Sequence, residues 1–336
     1  MKISVAEYKK NLHRYYIYGC AVRDRTRFSF ISNRWYTDEE VEEEEEKGMS
    51  SDYRDKRLVL FTRNEISGKQ WSSAYFEGWG TVRLGAATKP VTQTIMIEME
   101  ESTTYVIGSG EKYHDTPVEK LPDNPSRGGI RRIKMIDGYA YICGGARSVG
   151  KRLGKGSWQS HSNAIPPASE NINGGFDDIA GFNENDLYAV GGKGDVWRYN
   201  GKLWQQVAFP TNTWTTTVCC GGDGNVYISC YEGLTFMGRE NRWKKIHDGG
   251  ISLGFKDMVW HEGKVWCTND NGVWTIENGK LERAELPSEM QVCSGSLSVN
   301  DGVMLMAGLG GAAFLENGQW HNLFLRGEME KAVQKK

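Results

Sequence analysis

A repeat of about 40 residues runs through this chain from its middle to near its C-terminus. The residues at the centre of each repeat are separated by 47, 39, 39 and 39 positions: Tyr141, Tyr188, Tyr227, Trp266 and Leu305. A tryptophan marks the end of most repeats, at steps of 46, 39 and 77, the last close to two periods: Trp158, Trp204, Trp243 and Trp320. Four short strand-like runs between glycine turns fill each period, which is typical of a β-propeller blade and not of a β-sandwich.

The number of blades follows from counting these repeats. Five clear copies cover residues 131–323 and a weaker copy covers 92–120. The N-terminal region has further strand-like runs that fit one more blade, at 15–22, 27–32, 57–62 and 72–84. We therefore predict an all-β chain that forms a single β-propeller of seven blades, with six or eight as the alternatives. We expect the ring to close by pairing an N-terminal strand with the last blade, which would remove free sheet edges.

The same pattern predicts the domain organisation. One propeller domain is expected over residues 1–325, with an acidic insertion at 38–56 inside the degenerate N-terminal blade. Residues 326–336 are expected to form a helical or disordered tail. Each blade is too small to bury its own faces, so one cooperative domain is expected instead of two.

Composition excludes several classes of protein. No run approaches the eighteen or so apolar residues that a membrane span needs, and the N-terminus has no apolar core typical of a signal peptide. Seven cysteines without a CxxC pair predict buried reduced thiols, and the six histidines show no metal-ligand spacing. We therefore expect a cytoplasmic protein with no metal and no cofactor.

The formal net charge of −2 hides two segments of opposite sign. Residues 38–47 contain eight acidic residues and one lysine, and residues 127–155 contain eight basic residues and one aspartate. Like charges in the acidic run repel and cannot be buried, so an exposed loop or short helix is expected there. Two functions are open for this acidic segment: a solubilising linker, or a surface that captures a basic partner protein. The candidate partner-binding residues are Asp38, Glu39, Glu40, Glu42, Glu43, Glu44, Glu45 and Glu46.

The basic segment has a second candidate function. Arginine and lysine supply the sequence-independent part of nucleic-acid affinity, so this segment could contact phosphates. The candidate residues for this alternative are Arg131, Arg132, Arg147, Lys151 and Arg152. The competing interpretation is a solvated rim of the propeller, and nucleic acid is not the expected partner because aromatics occur in every blade and mark no RNA-binding surface.

No motif predicts catalysis. Residues 145–152 (GARSVGKR) follow a strand and fit G-x-x-x-x-G-K, but Arg152 replaces the Ser or Thr of a phosphate-binding loop and no helix is expected after it. Asp178 and Asp257 occupy equivalent positions in their repeats and are expected to cap turns by accepting backbone N–H groups. No catalytic residue is assigned, although a hydrolase or lyase site at the mouth of the channel would leave no local motif.

The repeats resemble known bacterial propellers. LYAVGGKGDVWRYNGKLWQQV, with Gly191, Gly192, Tyr199 and Trp204, resembles a kelch-type blade, and KVWCTNDNGVWTIENGKLERA resembles propellers attached to bacterial two-component sensors. The kelch glycine pair is missing from the blades around 230 and 270, so the resemblance implies the fold and no single function. The chain also resembles antidotes of contact-dependent and other polymorphic toxins, because it combines degenerate blades, an acidic insertion and no catalytic motif.

That second resemblance implies a function. The expected protein is a non-enzymatic, protein-binding propeller that binds and blocks a bacterial toxin, such as a basic nuclease. The alternatives are a propeller that binds nucleic acid and a propeller enzyme.

Overall fold

Seven four-stranded antiparallel sheets form a ring around a central channel. The computed structural model describes residues 2–46, 53–108, 118–121, 125–168 and 174–335. Each sheet is one blade built from four strands consecutive in sequence, and the first strand of each blade contacts the first strand of the next. The prediction of an all-β, seven-bladed propeller is confirmed.

The first three blades contain strands β1–β12. Blade 1 consists of β1 (Tyr15–Asp24), β2 (Arg27–Arg34), β3 (Lys56–Thr62) and β4 (Trp71–Phe76). Blade 2 consists of β5 (Val82–Ala87), β6 (Gln93–Glu98), β7 (Thr103–Gly108) and β8 (Val118–Lys120). Blade 3 consists of β9 (Ile130–Ile136), β10 (Tyr139–Gly144), β11 (Ser148–Gly154) and β12 (Ser157–Ser160). The strand-like run predicted at 72–84 therefore belongs to two blades, and residues 109–117 of the weaker repeat lie outside the described residues.

The other four blades contain strands β13–β28. Blade 4 consists of β13 (Asp178–Asn183), β14 (Asp186–Gly191), β15 (Asp195–Tyr199) and β16 (Trp204–Gln206). Blade 5 consists of β17 (Thr215–Cys220), β18 (Val226–Cys230), β19 (Thr235–Arg239) and β20 (Arg242–His247). Blade 6 consists of β21 (Asp257–His261), β22 (Lys264–Asn269), β23 (Gly272–Glu277) and β24 (Lys280–Arg283). Blade 7 consists of β25 (Ser296–Asn300), β26 (Val303–Gly308), β27 (Gly311–Glu316) and β28 (Gln319–Leu325).

The helices lie outside the sheets. In the described part of the chain they are α1 (Val5–Asn11), α2 (Asp38–Glu46), α3 (Ser288–Gln291) and α4 (Arg326–Gln334), and a short 3₁₀ turn spans Tyr231–Gly233. Helix α2 lies in the acidic insertion, of which residues 47–52 are outside the described residues, and helix α4 forms the C-terminal tail and contacts α1.

The repeated aromatic residues form the cores between blades. The central residues of the repeats lie in the second strand of their blades and are buried, because each sheet is covered by a neighbour on both faces. Among the described residues, seven apolar clusters occur, one at each blade–blade contact. The seven cysteines are free thiols, and six of them are buried.

Two-residue hairpin turns explain why glycine follows Asp, Asn or Glu at regular positions. Both central residues have positive φ in these turns, which matches the twist of the flanking strands and favours glycine second. The pairs are Asp137–Gly138, Glu262–Gly263, Asn278–Gly279, Asp301–Gly302 and Asn317–Gly318.

Blade packing, and not strand exchange, closes the ring. The predicted pairing of an N-terminal strand with blade 7 is wrong, because blades 1 and 7 are each built from their own four strands. The two blades and helices α1 and α4 instead share the largest of the seven apolar clusters. Polar bonds cross the same contact, including Val22 N to Ser298 Oγ at 2.9 Å and Ser296 Oγ to the Tyr18 carbonyl at 3.0 Å.

A serine at this closure provides a test of its strength. Ser298→Ala is expected to lower the free energy of unfolding by about 1–2 kcal/mol, because it leaves the Val22 N–H without its acceptor. Urea denaturation measures the change. Ser72→Ala, at an exposed position of β4, is the matched control and should change stability by less than about 0.5 kcal/mol. Equal effects of the two substitutions would contradict a closing role for Ser298.

The connections between strands divide the ring into two faces. In an antiparallel meander, the connection from second to third strand and the connection to the next blade lie at the same end. Helix α2 joins β2 to β3, so it lies on this face, which we call the α2 face. The hairpin turns between first and second strands lie on the opposite face.

Candidate functional site

Helix α2 begins at a capping box. Thr37 Oγ1 accepts a hydrogen bond from Glu40 N at 3.3 Å, and Glu40 Oε2 accepts one from Thr37 N at 2.9 Å. This reciprocal pair satisfies two backbone donors at the start of the helix. The local sequence Thr37-Asp-Glu-Glu40 carries this signal, which is separate from the charge of the segment.

Glu40 attaches the helix to the propeller. Its carboxylate receives Arg34 Nη2 at 3.1 Å and also pairs with Arg14. The Thr37 backbone N–H and the Arg14 side chain hold the pKa of the Glu40 carboxyl below its usual value. Of the eight predicted partner-binding residues, Glu40 therefore holds α2 against the propeller through its ion pairs.

The other acidic residues of α2 face solvent. Exposed side chains belong to Asp38, Glu39, Glu42, Glu43, Glu45 and Glu46, and the side chain of Glu44 lies outside the described part of the chain. Pairs such as Glu39–Glu43 and Glu42–Glu46 are one helical turn apart and repel each other. No basic residue lies in the last turn of α2, so its negative charge is not neutralised within the helix. This segment therefore presents a concentrated negative surface at blade 1.

Exposed aromatic residues lie on the same face. Among the described residues, the strongly exposed aromatic side chains are Trp35 (49%), Tyr53 (38%), Tyr75 (53%) and Tyr231 (55%). Trp35, Tyr53 and Tyr231 belong to connections on the α2 face, and Tyr75 lies at the end of β4 nearest this face. Trp35 packs edge-on against Tyr16 and lies under the Arg326 guanidinium at 4.8 Å, so it is held rigidly. Rigid, exposed aromatics are typical anchors of protein interfaces.

The structure separates the five predicted phosphate-contacting residues. Arg131 and Arg132 lie on β9 and line the channel, whereas Lys151 and Arg152 lie on β11 and are buried. Only Arg147 lies in a turn at the rim, and its guanidinium donates two bonds to Asp195. The interpretation of this segment as a solvated rim is wrong for most of its charges.

Each of the five has a carboxylate partner in the fold. The pairs are Arg131–Asp177 at 2.9 Å, Arg132–Asp178 at 3.2 Å, Arg147–Asp195 at 2.6 Å, Lys151–Glu184 at 2.8 Å and Arg152–Glu119 at 2.9 Å. Internal pairing leaves little charge to neutralise phosphates, so the geometry gives no support to nucleic-acid binding, which stays a prediction. The hairpin at 145–152 continues directly into strand β11, as expected for a segment that is not a phosphate-binding loop.

Asp178 and Asp257 connect blades instead of capping turns. Both are the first residues of inner strands and both are buried. Asp178 Oδ2 accepts from Val218 N of blade 5 at 3.1 Å, and Asp257 Oδ2 accepts from Leu297 N of blade 7 at 3.1 Å. The expectation that they accept backbone N–H groups is right, but each of them reaches a donor in the next blade. Asp178 Oδ1 also accepts from the adjacent Ile179 N at 2.9 Å.

Asp257 also compensates charge across the channel. It receives Lys134 Nζ at 3.1 Å and Arg132 Nη1 at 3.2 Å, both from blade 3. Burial alone would raise the pKa of the Asp257 carboxyl, but Lys134 and Arg132 hold it below its usual value. The residue therefore stays ionised and couples blades 3, 6 and 7.

The described residues assemble no metal site. No histidine lines the channel among them, and no group of three or more metal-ligating side chains is brought together within the described ranges. His261 and Glu262 lie at the β21–β22 turn, where Glu262 accepts from Gly318 N at 2.9 Å. Helices in the described part of the chain are too short or too polar to cross a membrane.

A sequence comparison shows that the chain is similar to a bacterial immune protein. The immune protein Tsi7 of Pseudomonas aeruginosa is 32% identical over 231 residues, which are 67% of this chain and 74% of that protein. No family model matches the chain.

Comparison with solved structures shows the propeller fold. The WD40 propeller of Doa1 superposes with a TM-score of 0.61 at 11% identity, covering 89% of this chain and 92% of that one. PorZ of Porphyromonas gingivalis superposes with a TM-score of 0.60 at 10% identity, covering 93% of this chain but only 38% of PorZ. Virginiamycin B lyase of Staphylococcus aureus superposes with a TM-score of 0.55 at 9% identity, covering 73% and 84% of the two chains. At these identities the likeness concerns the fold alone.

Proposed function

This chain belongs to the family of the Pseudomonas aeruginosa immune protein Tsi7, and on this premise we propose that it is an immunity protein that binds and neutralises a bacterial toxin. The 32% identity over 231 residues is the observation that carries the proposal. The expected resemblance to propeller-type immunity proteins is confirmed. A rigid ring with exposed connections also fits a role in protein binding.

The α2 face is the proposed toxin-binding surface. It combines the exposed carboxylates of α2 with the rigid aromatic anchor Trp35, which lies three residues before the start of the helix. Aromatic anchors supply affinity, while an unneutralised charged surface steers a partner of opposite sign. We therefore propose a basic toxin domain, such as a nuclease, whose phosphate-binding groups would meet the carboxylates of Glu39, Glu42 and Glu43.

Inhibition is proposed to be steric and electrostatic, without catalysis. The buried charges in and around the channel are largely engaged in ion pairs that hold blades together, as Arg132 and Lys134 are with Asp257. A hydrolase or lyase would instead need an acid or base free to exchange protons with a substrate. The proposed place of action is the cytoplasm, where a toxin would reach its intracellular target.

Co-expression with neighbouring genes tests the function. Each adjacent open reading frame is expressed from an inducible promoter in a heterologous host, with and without this chain. We expect one product to arrest growth, this chain to restore colony formation, and the two proteins to co-purify as a stable complex. A toxic neighbour that still kills cells in the presence of this chain, and forms no complex with it, would overturn the proposal.

A further inference from the structure

The central channel is a cavity with mixed chemistry. Its volume is about 800 Å³, and the inner strands of all seven blades line it. Apolar side chains such as Ile133, Val218 and Leu297 form part of the wall, interspersed with charged groups. A partly apolar cavity with a few converging polar groups is the usual form of a small-molecule site.

Five cations of the described ranges line this channel, and four of them have a carboxylate of their own. Arg131 pairs with Asp177 at 2.9 Å, Arg132 with Asp178 at 3.2 Å, Lys134 with Asp257 at 3.1 Å and Lys256 with Asp270 at 3.6 Å. The fifth is Arg83, on β5. Among the described residues, no carboxylate lies within ion-pair distance of its guanidinium.

Arg83 therefore has no directly paired carboxylate, although the more distant Asp257 carboxylate also favours its charged form. Its Nε donates to the Arg131 carbonyl at 2.7 Å, and its two terminal amino groups have no partner among the described residues. Burial and the nearby Arg132 guanidinium lower the pKa of Arg83 to about 10. Both effects disfavour the charged form of Arg83. An anion placed beside the guanidinium would favour the charged form and so oppose both effects.

Two further features accompany Arg83. The Tyr18 hydroxyl, in the same channel wall, is buried without a hydrogen-bond partner among the described residues. Arg131 Nη1 donates to Asp177, which also accepts from Trp214 Nε1 at 2.7 Å, and Trp214 stacks on the exposed Tyr231. This chain of bonds runs from the aromatic pair on the α2 face inward to the Arg83 guanidinium.

We infer that the channel binds a small organic oxyanion, a carboxylate or a phosphate monoester, through Arg83. The planar guanidinium matches two oxygens of either head group, and the apolar wall accommodates the rest of the ligand. The single negative charge of a carboxylate would balance the one cation that lacks a carboxylate, whereas a phosphate monoester carries about −1.5 to −2 at neutral pH. This site would be distinct from the carboxylates of α2, which carry the opposite charge, and it does not depend on a toxin.

Calorimetric titration of the full chain tests this site with three probes. Inorganic phosphate, phenyl phosphate and benzoate are titrated separately at fixed sodium chloride concentration. We expect saturable binding of phenyl phosphate or benzoate, the tighter of the two identifying the head group. Phenyl phosphate should bind more tightly than inorganic phosphate if the apolar wall contributes.

Variants at Arg83 decide whether the binding is specific. Arg83→Gln should raise the dissociation constant at least tenfold, and Arg83→Lys should raise it less because the charge remains. Lys256→Gln, which removes a channel cation that has its own carboxylate, is the matched control and should change it less than threefold. Circular dichroism checks that each variant folds. If Arg83→Gln does not fold, the comparison of Arg83→Lys with the wild type provides the test. Absence of saturable binding by all three probes, or equal binding in the Arg83 variants and the wild type, would overturn the inference.

Discussion

Replacing Glu39, Glu42, Glu43, Glu45 and Glu46 by glutamine is expected to slow association with the toxin by about 10–100-fold at low salt. These side chains are exposed on α2 and have no basic residue in the last turn to neutralise them. Their field extends over roughly one Debye length, about 10 Å at 0.1 M salt, so it accelerates encounter with a basic partner. Stopped-flow or biosensor measurements across salt concentrations give the association rate.

Two controls separate steering from loss of structure. Glu40 is kept in the variant, because it pairs with Arg14 and Arg34 and holds the helix on the propeller. A pair of acids on the opposite face, Glu65 and Glu277, is replaced by glutamine and compared with a two-site variant at Glu42 and Glu46. The variant at Glu42 and Glu46 should associate more slowly than the variant at Glu65 and Glu277. This difference in association rate should vanish at about 1 M salt. An association rate that is insensitive to all of the α2 substitutions would remove α2 from the mechanism.

Asp257→Ala is expected to lower the free energy of unfolding by about 3–5 kcal/mol. The substitution leaves Arg132 and Lys134 without their shared carboxylate and the Leu297 N–H without its acceptor. Breaking a buried ion pair by removing one partner is strongly destabilising, since the remaining charges stay buried. Chemical denaturation followed by tryptophan fluorescence measures the loss.

The matched control for this substitution is Asp270→Ala. Asp270 pairs with Lys256 at 3.6 Å in an exposed position, so its removal should change stability by less than about 1 kcal/mol. Asp257→Asn should fall between the two, because it retains an oxygen for Leu297 N–H but loses the charge. Similar effects of Asp257→Ala and Asp270→Ala would contradict the coupling of blades through the channel.

The contribution of Asp257 to the stability of the fold should also decrease in acid. Lys134 and Arg132, opposing the effect of burial, keep the pKa of Asp257 below its value in the unfolded chain. A carboxyl group whose pKa is lower in the folded chain than in the unfolded chain stabilises the fold at pH values above the unfolded pKa. This stabilisation is lost as the pH falls through the folded pKa. The difference in free energy of unfolding between the wild type and Asp257→Ala should therefore be largest at neutral pH and should decrease below about pH 4.

The repeat made the architecture predictable, because each blade buries the same position. Tyr188 and Tyr227 occupy equivalent places in β14 and β18, and their spacing reports the length of one four-stranded sheet. The first blade departs from the repeat, because α2 interrupts it between β2 and β3. Its closing aromatic, Trp71, begins β4 and packs in the cluster between blades 1 and 7.

Two short helices could have been predicted from local signals. Ser4 and Glu7 form a capping box before α1, and Thr37 and Glu40 form another before α2. Both follow the pattern of Ser or Thr with Glu three residues later. The exposed position of the α2 carboxylates was predictable for a different reason, because a run of like charges cannot be buried.

The sequence by itself determined the blade length, the number of strands in each clear repeat and the exposure of the acidic segment, because these depend on neighbours close in the chain. The tertiary structure alone decided the role of the basic segment. Arg132 meets Asp257, 125 residues away, because the ring brings inner strands of non-adjacent blades to one channel. The same geometry left Arg83 without an ion-paired carboxylate in the described part of the chain and closed the ring by packing blade 1 on blade 7. Charge pairing across a ring depends on distance in space, which residue spacing along the chain does not contain.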